Sequence, residues 1–145
     1  MIFNNLFKNI QIKTLLLTIL IIIVTAYLVS KYLQYNIYKS VDHKEKVIVF
    51  GETCDLENNK VSKSFSLGYQ LAFDLINDKG GINGYKLKII LLNDKYEPTI
   101  AVKNANILSD YYNVLALIGI FGTPTLLAIL NGISSNVPIV GPFSA

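Results

Sequence analysis

The sequence predicts an α/β protein: a doubly wound parallel sheet preceded by one transmembrane or signal helix. Two observations carry this. Across residues 46–145, four short apolar runs alternate with three stretches whose apolar residues recur every three or four positions. That β-α-β-α-β-α-β order builds a parallel sheet with helices on both faces. Ahead of it, residues 14–30 carry no charge and are bounded by Lys13 and Lys31.

The amino-terminal segment comes first. Seventeen uncharged residues, 14–30, at 1.5 Å rise span roughly 25 Å, the short end of what crosses a hydrocarbon core. Lysines at both ends can reach outward to make up the difference. Lys8 and Lys13 favour a cytoplasmic amino terminus for residues 1–13, which places the rest of the chain outside the cytoplasm. Val24-Thr25-Ala26 also suits a signal-peptidase cut, but the apolar run continues through Tyr27-Leu28-Val29, which favours an uncleaved anchor. Residues 31–45, with Tyr32, Tyr35 and Tyr38 among charged groups, read as an interfacial linker. His43 falls there, among Asp42, Lys44 and Glu45, and reads as a solvated linker residue rather than a general base.

The first strand is predicted at residues 47–50, ending at Gly51. A helix follows over residues 61–79, with Val61, Phe65, Tyr69, Ala72 and Ile76 on its inner face, stopped by Gly80-Gly81. The second strand covers residues 87–92. A second helix covers 98–111, with Ile100, Ala101, Ala105 and Leu108 facing inward. Residues 114–120 form the third strand, 123–135 the third helix and 137–140 the fourth strand. In such a sheet ligands bind beyond the carboxyl ends of the strands, which selects residues 51–60, 94–98, 121–125 and 141–145.

Composition narrows the function. The 145 residues include thirteen lysines and no arginine; after Lys8 and Lys13, eleven lysines face ten acids, so no basic stripe suits nucleic acid. One cysteine, Cys54, excludes an internal disulfide and a cysteine zinc site. The glycine-rich dinucleotide fingerprint, the phosphate loop and the nucleophile elbow are all missing, so no cofactor and no enzymatic role are expected. Residues 80–84, Gly-Gly-Ile-Asn-Gly, lie at the amino edge of the second strand and read as a turn. Glu52, Asp55, Glu57 and Asp94 read as solvated loop acids. The segment with binding physics is Gly119 through Thr125. Gly122 allows close approach of a ligand; Thr123 is placed to cap the next helix, with Pro124 at its first position and the hydroxyl of Thr125 nearby. The free N–H groups there suit a carboxylate.

Five pieces stand in register: Gly68 through Asn77, Gly80 through Leu87, Asn93 through Pro98, Gly119 through Thr125, and Val137 through Ser144. Together they resemble the type I periplasmic binding proteins, most closely the branched-chain amino acid binding proteins of ABC transporters. The resemblance covers residues 46–145 and implies the first of two hinged lobes closing on a small ligand. It implies contacts to the carboxylate and ammonium of an amino-acid-like or amide-like ligand from Thr123 and its neighbours and from Phe143 and Ala145. Thr53 and Cys54 stand at the first cleft loop, although Asp55-Leu56-Glu57-Asn58-Asn59 replaces the family's small glycine-containing loop. The chain ends with the fourth cleft loop, so only a partial lobe, with little ligand affinity of its own, is expected. The implied role is an extracytoplasmic solute-binding component feeding an ABC permease; the alternative is the ligand-sensing domain of a membrane-bound receptor.

Overall fold

The computed structural model describes residues 2–39 and 41–143, with the side chains of residues 12–35 and 41–143. It divides into two compact units, residues 1–38 and 39–145.

The first unit is one helix, α1 (Ile2–Lys39). Its apolar residues are spread evenly around the axis, so no one face is set apart for packing. Ile12–Tyr35, 24 residues, is long and apolar enough to cross a membrane, and none of it is buried. Within it Thr18 and Thr25 turn their hydroxyls back onto the carbonyls of Leu15 (2.7 Å) and Ile21 (2.9 Å), so these polar groups have partners inside the segment. The charge at Lys31 does not end the helix, contrary to the linker expected from there. Lys31 instead places its ammonium over the Tyr27 ring, 5.9 Å from the centroid.

The second unit opens with a hairpin. The short strand β1 (Val41–Asp42) pairs antiparallel with the start of β2 (Val47–Cys54). Asp42 Oδ1 accepts from the amides of Lys44 (3.0 Å) and Glu45 (2.9 Å) and closes the turn. His43, placed in a linker by its neighbours, is exposed in this turn, with Nδ1 3.0 Å from the Tyr85 hydroxyl.

β2 organises the rest. Along one edge it pairs in parallel with β3 (Lys86–Asn93) over eight residue pairs; on the other it meets β4 (Leu117–Ile118), which pairs in parallel with β5 (Ile139–Val140). The parallel order β3-β2-β4-β5 is doubly wound, and the direction of winding reverses between β2 and β4. Helix α3 (Pro98–Asn106), a π turn at Ile107–Tyr111 and helix α4 (Thr123–Gly132) close a core of Ala101, Ala105, Leu108, Leu117, Ile120 and Ile129. Ile90 and Leu92 of β3 pack on this core. Leu87, Ile89 and Leu91, the alternate residues, line a groove with Phe73 of helix α2 (Lys60–Asp78).

Two expectations change here. The second helix does not stay α-helical to Tyr111: its last turn widens into the π form, and Leu108 packs where a β-carbon on Gly51 would lie 3.1 Å from it. In α2 the buried positions are Ser62 and Ser66, whereas Val61 is 51% exposed and Ala72 is also exposed. The helix crosses the sheet closest where its side chains are smallest, and Leu67, Leu71 and Leu75 form a second apolar stripe facing outward. Asn59 caps α2, accepting from the amides of Val61 (3.0 Å) and Ser62 (3.1 Å). At its far end Gly81 is left-handed and so close to Tyr85 that a β-carbon would sit 2.1 Å from its carbonyl oxygen.

Candidate functional site

Four chain segments converge beyond the carboxyl ends of the parallel strands, around the reversal between β2 and β4. They divide into a buried polar wall, at the ends of β2 and β3, and a rim of glycines and aromatic rings, at the ends of β4 and β5.

The polar wall exists because β2 runs to Cys54, beyond the Gly51 boundary that its apolar run predicts. Glu52, Thr53, Cys54 and Asp94 are 0 to 1% exposed and Asp55 is 4% exposed, so the reading of Glu52, Asp55 and Asp94 as solvated acids is corrected; Glu57 is exposed as expected. The reason is cover: β3 pairs along β2 to its last residue, and α2 seats Ser62 and Ser66 over the strand end. Thr53 donates its hydroxyl proton to Asp94 Oδ2 (3.1 Å) and accepts from Asn104 Nδ2 (3.1 Å). Asp94 Oδ1 accepts from the Tyr96 amide (2.8 Å). Cys54 Sγ lies 3.2 Å from Ser66 Oγ, which donates to Glu52 Oε1 at 2.7 Å. Thr53 and Cys54, both expected at the ligand, are thus bonded inside the wall, behind its surface.

Burial sets the protonation of this wall. It raises Glu52 to about 7; hydrogen bonds from Ser66 and Cys54 pull back, and the nearby charge of Asp94 adds to the rise. Burial pushes the Cys54 thiol up to about 12 against opposing contacts from Ser62 and Ser66, so it stays a neutral, unreactive thiol. Asp94 is raised by burial, opposed by the amide of Tyr96 and the hydroxyl of Thr53. Glu52 Oε2 is buried and has no hydrogen-bond partner among the described residues; Ser62 Oγ makes none of ordinary geometry.

The rim is different. Gly122, with φ 94°, caps α4, and Thr123 is the first helical residue, so the expected threonine cap is replaced. A threonine would strain at that φ, and the Tyr96 ring fills the space: a β-carbon on Gly122 would lie 2.3 Å from its Cε2. The turn is fastened by Thr125, fully buried, whose hydroxyl lies 2.6 Å from the Phe121 carbonyl and 2.9 Å from that of Gly122. Thr125 is therefore spent on the backbone, while Thr123 and Pro124 are exposed. Phe121 and Phe143 face each other in a parallel bridge, with Gly122 donating to the Phe143 carbonyl and Phe143 donating to that of Ile120, both at 2.8 Å. Ala145 lies outside the described residues.

Tyr69 of α2 links wall and rim. Its ring fills the space beside Gly119, where a β-carbon would lie 2.4 Å from Cε2 and 3.3 Å from Glu52 Oε1, and its hydroxyl reaches toward Gly141. Burial and then the charge of Glu52 raise its pKa. Sequence reasoning missed Glu52, Tyr69 and Tyr96 as parts of the site. The available signal was Ser62 and Ser66, two small polar residues one turn apart on a helix otherwise read by its apolar residues. Among the described residues no cluster of three or more His, Cys, Asp or Glu side chains could hold a metal ion. What the site offers a ligand is backbone amides at a helix amino terminus, hydroxyls and rings, which suits binding.

Residues 57–145 match the family described as periplasmic binding protein. Among solved structures the chain is similar to a substrate-binding periplasmic protein from Ralstonia solanacearum, at 27% identity and a TM-score of 0.63 over 66% of this chain and 28% of that one. It is similar to a possible leucine/isoleucine/valine-binding protein from Rhodopirellula baltica SH 1, at 29% identity and a TM-score of 0.55 over 63% of this chain and 26% of that one. The fold also matches the branched-chain amino acid transporter substrate-binding protein LivJ from Streptococcus pneumoniae, solved with isoleucine, at 24% identity and a TM-score of 0.62 over 68% of this chain and 29% of that one. The chain spans about a quarter of the length of these structures. No curated protein matches it.

Proposed function

The chain belongs to the periplasmic binding protein family, and from that membership we propose that it supplies one wall of an extracytoplasmic solute-binding site for amino acids or similar small polar ligands, serving an ABC transporter. The observation that carries the proposal is the course of β4 through Gly119 into Gly122 and the amino terminus of α4, at the point where the sheet reverses its winding. There the α4 amides meet a ligand carboxylate beside Thr123, and the Phe143 loop meets its other end. Family members close two lobes over the ligand, so a single wall binds in the millimolar range, about 4 kcal/mol.

The test is amide chemical-shift mapping of the full chain in detergent, titrated with leucine, valine and acetamide. Shifts concentrated at Gly119, Gly122, Thr123 and Phe143 are expected. Their absence at tens of millimolar would sink the proposal. On the same reading α1 directs the second unit out of the cytoplasm, and an export-dependent reporter joined after Ala145 is then active.

A second reading, the ligand-sensing domain of a membrane-bound receptor, draws on the unbroken course of α1 through Ala26 and Ser30. Intact mass separates the two: a mature chain cut near Ala26 supports the free transporter component, and an uncut chain the anchored sensor.

A further inference from the structure

Each of three successive strand ends delivers one aromatic residue to the rim: Tyr96 after β3, Phe121 after β4 and Phe143 after β5. The rings run on from one another. Tyr96 and Phe121 have centroids 6.1 Å apart, Phe121 and Phe143 stack at 5.6 Å with planes 19° apart, and Phe65 of α2 extends the row at 4.5 Å from Phe143. Core burial does not account for it, since Tyr96 is 41% and Phe143 40% exposed.

The backbone is bent to place the first ring. Lys95 and Tyr96 are both left-handed, with φ of 54° and 63°, although neither is glycine. The turn is held by the buried carboxylate of Asp94, which accepts from the Tyr96 amide at 2.8 Å. It sets the Tyr96 ring against Gly122, where no β-carbon would fit. An exposed side chain in a strained conformation that a buried network enforces points to use at the surface rather than to packing.

We infer that this row is the part of the site that receives the ligand's side group, and that it selects a flat aromatic or otherwise unsaturated group over a saturated one of equal size. The inference rests on the solute-binding reading above and names the substrate class of that same site. Ring faces and edges favour another ring in offset-stacked or edge-on geometry, worth a preference of about threefold to tenfold beyond equal apolar area. A saturated ring or branched aliphatic chain gains only the area term.

The test is ligand-observed saturation-transfer NMR on the full chain in detergent, with benzoate against cyclohexanecarboxylate and phenylalanine against leucine. Benzoate and phenylalanine are expected to bind at least threefold tighter than their saturated counterparts. Tyr96→Leu and Phe121→Leu should abolish that preference, bringing each aromatic compound to within about twofold of its saturated counterpart. Leucine or cyclohexanecarboxylate binding as well as its aromatic partner would overturn the inference and leave the solute-binding reading standing. An aromatic preference unchanged in both variants would also overturn it. Binding by none of the four compounds would remove both.

Discussion

The two halves of the cleft floor solve the same problem, ending parallel strands at a surface, with opposite chemistry. At the ends of β2 and β3 the wall is built from side chains: Glu52, Thr53, Cys54, Asp94 and Asn104 are buried, Thr53 bonds Asp94 and Asn104, and Ser66 joins Cys54 to Glu52. At the ends of β4 and β5 it is built from backbone: Gly119, Gly122 and Gly141 have positive φ, Thr125 ties the turn down, and aromatic rings lie over the glycines. The difference teaches that polar residues near a binding site are not thereby binding residues. Here the carboxylates hold the platform, and the groups turned to solvent are amides, hydroxyls and rings.

If that division is right, the largest stability effect belongs to the wall. Asp94→Ala removes the acceptor of both the Thr53 hydroxyl and the Tyr96 amide in a fully buried setting. A loss of about 3–4 kcal/mol is expected by chemical denaturation. A loss under 1 kcal/mol would mean the network is not structural.

Glu52 sharpens the comparison through pH. Its folded pKa of about 7 stands above the ordinary 4.5, so the folded state binds the proton more tightly than the unfolded one. The protonated form is therefore stabilised relative to the ionised one, and stability is lost as pH rises from about 4.5 to beyond 7. The fall amounts to about 3 kcal/mol when complete. Denaturant melts at pH 5 and pH 8.5 should show it, and Glu52→Gln should flatten the difference. An equally steep profile in the variant would assign the titration elsewhere.

On the rim the backbone carries the effect. Gly122→Ala meets both an unfavourable φ of 94° and the Tyr96 ring. A destabilisation of about 2 kcal/mol is expected, only partly recovered in a Gly122→Ala, Tyr96→Ala double variant because the dihedral strain remains. Complete recovery would show that the ring contact alone requires glycine.

The smallest effect is at Thr123. Gly122 holds the cap position, so Thr123→Ala should change stability by no more than about 0.5 kcal/mol. On the proposed reading, in which Thr123 meets an anionic group of the ligand, the same change is expected to weaken binding by about 1–3 kcal/mol. Calorimetry showing a lowered melting temperature with unchanged affinity would reverse the assignment.

The sequence by itself determined the order of the parallel strands and the helices between them, the apolar character of α1 and the turn that ends α2. These follow from local physics: a run such as Val47-Ile48-Val49-Phe50 suits a strand, the spacing of Ala101, Ala105 and Leu108 suits a helix face, and the left-handed glycines Gly80 and Gly81 end α2. The tertiary structure alone decided where β2 stops and which face of α2 turns inward. Glu52-Thr53-Cys54 reads as a polar loop until β3 pairs beside it, residue for residue, and α2 covers it from above. The apolar spacing of α2 permits two stripes, and the close crossing over Cys54 admits only the one bearing Ser62 and Ser66. Burial is a property of neighbours far apart in the chain, and so Glu52 takes a pKa of about 7 that no local pattern announces.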